Sequence, residues 1–224
     1  MNLTLGVEIE GGGVPRETVA RALSSALGAP PLKGRKQRSH QTYSVGGYAI
    51  TYDPSLKSWD GDRRVEIASP VFSDREDLRT RLPIVLATLR DVGLQQTEVC
   101  GTHIHVGGLS LSQALSLARV AVTEETPLIA RAHKRRRKFC KPVRESVARL
   151  PLDSTPEEVR AAAGDKTPQA RLMHYVPWRH RGLNLHSFLY RGTVEFRYFN
   201  GTLSQEVLDG EYLEEVYRWL YLAL

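Results

Sequence analysis

Apolar and polar residues alternate along four short stretches of the chain. Leu5, Val7 and Ile9 alternate with Gly6, Glu8 and Glu10. Val65 and Ile67 flank Glu66, Ile104 separates His103 from His105, and Val194 and Phe196 alternate with Glu195 and Arg197. Successive residues of a strand point to opposite faces, so this period of two predicts strands over 3–10, 64–69, 102–106 and 192–200. Gly11-Gly12-Gly13 is expected to end the first. Residues 42–52 read as a hairpin turning at Gly46-Gly47, and 182–189 as the partner of 192–200 around Tyr190-Arg191-Gly192.

A helical period marks the remaining elements. Val19, Leu23, Ala26 and Leu27 predict a helix over 15–28, with Pro15 in its first turn. Leu78, Leu82, Val85, Leu86 and Leu89 predict another over 74–92. Ser110 and Ser112 precede a third, carrying Leu115, Leu117, Val120, Ala121 and Leu128, with a kink expected before Pro127. Thr155-Pro156-Glu157-Glu158 starts a short helix over 155–163, and 204–223 is amphipathic throughout. The sum is one α+β domain over 1–224, an antiparallel sheet with helices on one face.

The polar face of those strands carries the chemistry. Glu8 shares a face with Glu10, His103 with His105, and Glu195 with Arg197, while the interleaved apolar residues face a core. Taken singly, each motif also fits a solvated strand, and Glu195 beside Arg197 also fits a surface ion pair. Four such strands in one sheet are different. They gather acids, imidazoles and a guanidinium where Thr, Lys, Gln and Ser are the usual mixture. Carboxylates with histidine suit Mg²⁺ or Mn²⁺. Zinc would usually draw more His or Cys.

Charge adds a local feature. The net charge is +6, yet segment 131–149 holds nine lysines and arginines against one acid, Glu145. The rest of the chain is slightly acidic. The basic run reads either as a solvated face or as an arm over an anionic ligand. Cys100 and Cys140 make no disulfide framework, and no apolar run or signal peptide is seen, so a cytoplasmic setting is the expectation.

The segments Gly6-Val7-Glu8-Ile9-Glu10, Glu66-Ile67-Ala68-Ser69-Pro70, Cys100-Gly101-Thr102-His103-Ile104-His105-Val106-Gly107 and Thr193-Val194-Glu195-Phe196-Arg197 resemble those of the amidoligase family. That family is grouped with glutamate–cysteine ligases and glutamine synthetase. Arg181-Gly182-Leu183-Asn184-Leu185 resembles its penultimate strand, and Arg137-Lys138-Phe139-Cys140-Lys141-Pro142 its basic loop. The resemblance runs in order along nearly the whole chain. It implies a curved antiparallel half-barrel like that of glutamine synthetase, with helices on the convex face. It also implies ATP-dependent joining of a carboxylate to an amine through an acyl phosphate.

The same resemblance implies roles. Glu8, Glu10 and Glu66 would hold metal, with His103 joining Glu195 at a metal and His105 facing substrate. Arg197 would meet the γ-phosphate. Arg181 or Arg179 would bind phosphate or substrate, with Asn184 orienting it, and Lys36 and Arg38 of an early loop would also approach phosphate. The cofactors implied are ATP and Mg²⁺, or Mn²⁺. The partners are a carboxylate and an amine, from an amino acid, a peptide or a modified macromolecule. Two other readings compete: a metal-dependent hydrolase without nucleotide, and a nucleic-acid binder led by 131–149. His133, His174, His180 and His186 sit in unrelated contexts, which counts against the hydrolase.

Overall fold

A computed structural model describes residues 2–37, 39–165 and 177–224. Its centre is an eight-stranded open sheet in which every paired strand is antiparallel. The strands are β1 (Thr4–Gly12), β2 (Leu32–Lys33), β3 (Tyr43–Val45), β4 (Tyr48–Thr51), β5 (Arg64–Ala68), β6 (Gly101–Gly107), β7 (Leu183–Asn184) and β8 (Val194–Asn200). They lie in the order β2-β3-β4-β5-β1-β6-β8-β7. The four strands with acid, histidine or arginine are thus the four contiguous central ones, β5-β1-β6-β8.

Helices α1 (Arg16–Leu27), α2 (Arg75–Asp91), α3 (Leu111–Arg131) and α8 (Glu214–Ala223) supply buried residues to a single core. Val19 and Leu23, Leu82 and Leu86, Leu115 and Ala118, and Val216 and Trp219 join Val7, Ile9, Ile104, Val106, Val194 and Phe196 in it. The four central strands spend their apolar positions on this core, so their polar positions face the other side of the sheet. Short helices α4 (Glu145–Ala148), α5 (Pro156–Ala162), α6 (Leu185–Arg191) and α7 (Gln205–Val207) complete the chain. No helix among the described residues is long and apolar enough to cross a membrane.

Three expectations change. Gly11 and Gly12 do not end β1; both lie within it. A Cβ at Gly11 would sit 2.8 Å from Leu94 and one at Gly12 2.4 Å from the Trp59 ring, so close approach by those side chains demands glycine. Residues 182–189 are not one strand. Only Leu183 and Asn184 pair with β8; Asn184 then caps α6 by accepting from the Ser187 amide at 3.4 Å. The run after it places Leu185, Phe188 and Leu189 at helical spacing, and Gly192, at φ 76°, closes the helix. The C-terminal helical region is interrupted by a π turn over Leu208–Leu213, between α7 and α8. Helix α3, by contrast, runs unbroken through Pro127.

Candidate active site

Register decides which polar side chains meet. Glu10 pairs with Glu66 across β1 and β5, Glu8 with His103 across β1 and β6, and His105 with Glu195 across β6 and β8. Between Thr102 and Ile104 the pairing with β8 slips, so that Arg197 and Tyr198 together lie opposite His103. Alternation along β8 keeps Arg197 on the acid face with Glu195, while Tyr198 packs against Trp219 in the core. The result is one wall of Glu8, Glu10, Glu66, His103, His105, Glu195 and Arg197.

Two groups of ligand atoms form on that wall, each closing within 4.8 Å: Glu10, Asp53 and Glu66, and Glu8, His105 and Glu195. The first is a cluster of carboxylates in which none forms an ion pair with a described lysine or arginine. Burial, reinforced by the Asp53 charge, pushes the Glu10 carboxyl up to about 8. Glu66 is raised well above its ordinary value by burial and by the charges of Glu8, Asp53 and Glu10. Its Oε1 accepts from the Thr51 hydroxyl at 3.1 Å, and Glu10 Oε2 from the Gly101 amide at 2.6 Å. Hard oxygen donors crowded in this way fit a divalent cation such as Mg²⁺.

The second group is balanced by cations. His105 Nε2 lies 3.3 Å from Glu8 Oε1, and the Arg191 guanidinium approaches the same oxygen at 3.6 Å. Burial opposes ionisation of Glu8, but the His105 charge and hydrogen bonds from both histidines outweigh it and hold that carboxyl low. Glu195 is more tightly held. Burial again opposes, yet Arg197 and then His105 bring it down to about 2. Arg197 Nη1 donates to Glu195 Oε1, and Asn184 Nδ2 to Oε2 at 2.5 Å. The acidic neighbours more than offset burial at Arg197 and raise its pKa.

His103 lies beneath both groups, 2 % exposed. Its Nδ1 sits 3.2 Å from Glu8 and 3.4 Å from Glu195, and its Nε2 3.5 Å from Glu10. Burial and Arg197 lower it to about 4, so it is neutral at physiological pH. The resemblance assigned the metal position to His103 and substrate contact to His105. In the structure the ligand group that closes with Glu8 and Glu195 contains His105, and both nitrogens of His103 are engaged by carboxylates.

The competing arginines separate cleanly. Arg181 is turned off the wall; its Nη1 donates to the Pro142 carbonyl at 2.8 Å, and its charged neighbours are Arg144 and Glu125. The reason is parity: Arg181 stands two residues before core-facing Leu183, and Asn184 is one step out of phase with it. Arg179, in a 3₁₀ turn, lies in the field of Arg197, Glu195, Arg191 and Glu66. Lys36 is exposed in the loop between β2 and β3, at the sheet's edge, and forms no ion pair with the wall. Arg38 lies outside the described residues.

Sequence reasoning missed Asp53, Arg136 and Arg191. Asp53 continues the alternation of β4 by two residues beyond Thr51, which was the available signal. Arg136 looked like one more charge in a solvated run, yet it is 1 % exposed while Arg131, Lys134, Arg135, Arg137 and Lys138 are exposed. Its Nη2 donates to the Arg197 carbonyl at 3.1 Å, and its Nη1 to that of Phe199, clamping the bulge from behind. A Cβ at Gly101 would lie 2.2 Å from Arg136 Nη2, so this glycine makes room for the guanidinium.

The model of the family described as "Putative amidoligase enzyme" matches residues 1–210. The chain belongs to this family. The match spans every residue of both ligand groups and of the wall between them. The family's description supports a ligase-type activity for the chain. No curated protein matches the chain.

Proposed function

We propose that the protein is an ATP- and Mg²⁺-dependent carboxylate–amine ligase working on the acid face of the sheet. The observation that carries this reading is the pairing of two ligand groups, Glu10/Asp53/Glu66 and Glu8/His105/Glu195, on one wall with Arg197 beside them. Mg²⁺ held at these groups would neutralise triphosphate charge during phosphoryl transfer. The open sheet, in this reading, is the half-barrel implied by the resemblance, its concave side toward the acids.

The chain's own groups divide the work. Arg197 and Arg179 face the place where the γ-phosphoryl group moves, and their charge stabilises it there. Glu195, ionised at all working pH values, fixes Arg197; Asn184 fixes Glu195. Neutral His103 spaces Glu8, Glu10 and Glu195 from behind, as a partner that orients ligands rather than binding metal itself. In the reaction a substrate carboxylate oxygen takes the γ-phosphoryl group as the bond to ADP breaks. The amine nitrogen then attacks the acyl carbon, the bond to phosphate breaks, and the nitrogen loses a proton. The products are an amide, ADP and phosphate.

The test is ADP release with Mg²⁺ and a panel of amino acids, using hydroxylamine as a general amine that converts an acyl phosphate to a hydroxamate. Mg²⁺·ATP is expected to raise the melting temperature, and neither Mg²⁺ nor ATP alone to match it. A melting temperature indifferent to Mg²⁺·ATP would sink the reading. The nucleic-acid alternative is weakened by Arg136, which is buried behind the wall and withdrawn from any outer basic surface.

A further inference from the structure

The acid wall does not fill the whole polar face of the sheet. Toward the start of β1 the large charged residues give way to small ones. Thr4 and Gly6 precede Glu8, Ala68 follows Glu66, and Gly107 follows His105, all on the same face by alternation. Their small size leaves an open cavity of about 210 Å³. Pro70 and Val71 form one side of it, Thr193 and Arg191 the other, and Glu8 and His105 the end that meets the second ligand group. Val71 is 69 % exposed and so offers an apolar surface to an occupant.

Three properties select that occupant. The first is size: at about 210 Å³ the cavity is below the roughly 300–1,000 Å³ of sites for drug-sized ligands, which matches a single amino acid and not a longer chain. The second is polarity, since the floor and one wall are mainly apolar. The third is charge. Arg191 places its guanidinium at the rim, its side chain 54 % exposed and 3.6 Å from Glu8. That guanidinium forms a fork suited to a carboxylate. A carboxylate on Arg191 would lie beside the Glu8/His105/Glu195 group, where the phosphoryl group would arrive.

We propose that this cavity is the binding site of the carboxylate substrate, and that it takes a small amino acid with a short apolar side chain, its carboxylate on Arg191. The proposal rests on the ligase reading above. Arg191 then sets the position of the attacking oxygen, and the floor at Gly6 and Ala68 sets the size limit.

The geometry offers a clean test. A Cβ at Gly6 would meet only His105 Cβ at 3.5 Å and Ser69 Oγ at 4.0 Å, ordinary contact distances, and Gly6 has no positive φ. Gly6→Val and Ala68→Leu therefore place larger side chains on the cavity floor. The assay is hydroxamate formation from glycine, L-alanine and L-phenylalanine with Mg²⁺·ATP and hydroxylamine, alongside the Mg²⁺·ATP melting shift. Wild-type protein is expected to use glycine and alanine and to reject phenylalanine. Each filling variant should raise KM for alanine about tenfold or more while leaving the KM for ATP and the melting shift unchanged. Arg191→Gln should raise the alanine KM similarly, and Arg191→Lys should restore part of it. Preference for phenylalanine, or filling variants that leave the alanine KM unchanged, overturns the proposal. So does a Mg²⁺·ATP shift without hydroxamate from any of the three acids. Loss of the Mg²⁺·ATP shift in the wild-type protein overturns the ligase reading instead.

Discussion

At the residue scale, the unusual groups are Glu10 and Glu66, carboxyls held above their ordinary range because burial and neighbouring acids disfavour ionisation. A buried carboxylate without a cation is costly, and a divalent ion removes that cost. Glu66→Gln keeps the shape and the Thr51 contact and deletes the charge. Its expected outcome is loss of the Mg²⁺-dependent melting shift and a fall in activity of about a hundredfold or more, comparable with losing a strong electrostatic contact. The metal-free protein should be no less stable than wild type, because the substitution relieves a buried acid. Parallel melts in EDTA and in Mg²⁺ check both. A variant that melts lower in EDTA while keeping its full Mg²⁺ shift would assign Glu66 to folding alone.

At the scale of elements, the decisive feature is the β8 bulge and the arginine behind it. Arg136 reaches from the turn after α3 to the carbonyls of Arg197 and Phe199, and so holds the backbone in the slipped register. Glu125 on α3 supports the same region: it accepts from the Val143 amide at 2.9 Å and from the Tyr198 hydroxyl at 2.8 Å. Gly101 is the complementary gap. Gly101→Ala is expected to cost on the order of 1–3 kcal/mol by overpacking against the buried guanidinium. It should also weaken Mg²⁺ binding, because Gly101 donates its amide to Glu10. Urea melts and magnesium titration of the same variant check the two effects, and an unchanged unfolding midpoint would count against the clamp.

At the scale of the whole molecule, the acid wall makes stability depend on pH and, in the proposed reading, on Mg²⁺ as well. Glu10 keeps its proton to about pH 8 in the fold, against an ordinary value of 4.5. Between those values the folded state binds more protons than the unfolded chain, so metal-free stability falls as pH rises through that window. Glu66 acts in the same direction. Glu195 governs the acid side: held near 2, it contributes stability that is present above 4.5 and is lost as pH falls toward 2. In the proposed ligase reading Mg²⁺ would displace the protons on Glu10 and Glu66, so its stabilising effect is expected to grow with pH. In EDTA the melting temperature should drop between pH 6 and pH 8, and saturating Mg²⁺ should remove that drop. An equal Mg²⁺ shift at both pH values would mean that these carboxyls are not its ligands.

Alternation alone determined that Glu8 shares a face with Glu10, His103 with His105 and Glu195 with Arg197, because strand geometry fixes the side on which each residue points. It also determined the helices that cover the other face, through spacings such as Val19 to Leu23 and Leu82 to Leu86. Parity alone could have removed Arg181 from the wall. What only the tertiary structure decided was who meets whom across strands, since register is a long-range property set by packing. That is why Asp53 joins Glu10 and Glu66, and why both His103 and His105 come to lie beside Glu8 and Glu195. Burial was equally hidden: Arg136 has the same local sequence context as its exposed neighbours, and only the gap over Gly101 draws it inside. Asn184 shows the limit of local reading, for its strand pairing and its helix cap are both satisfied only where the sheet edge ends.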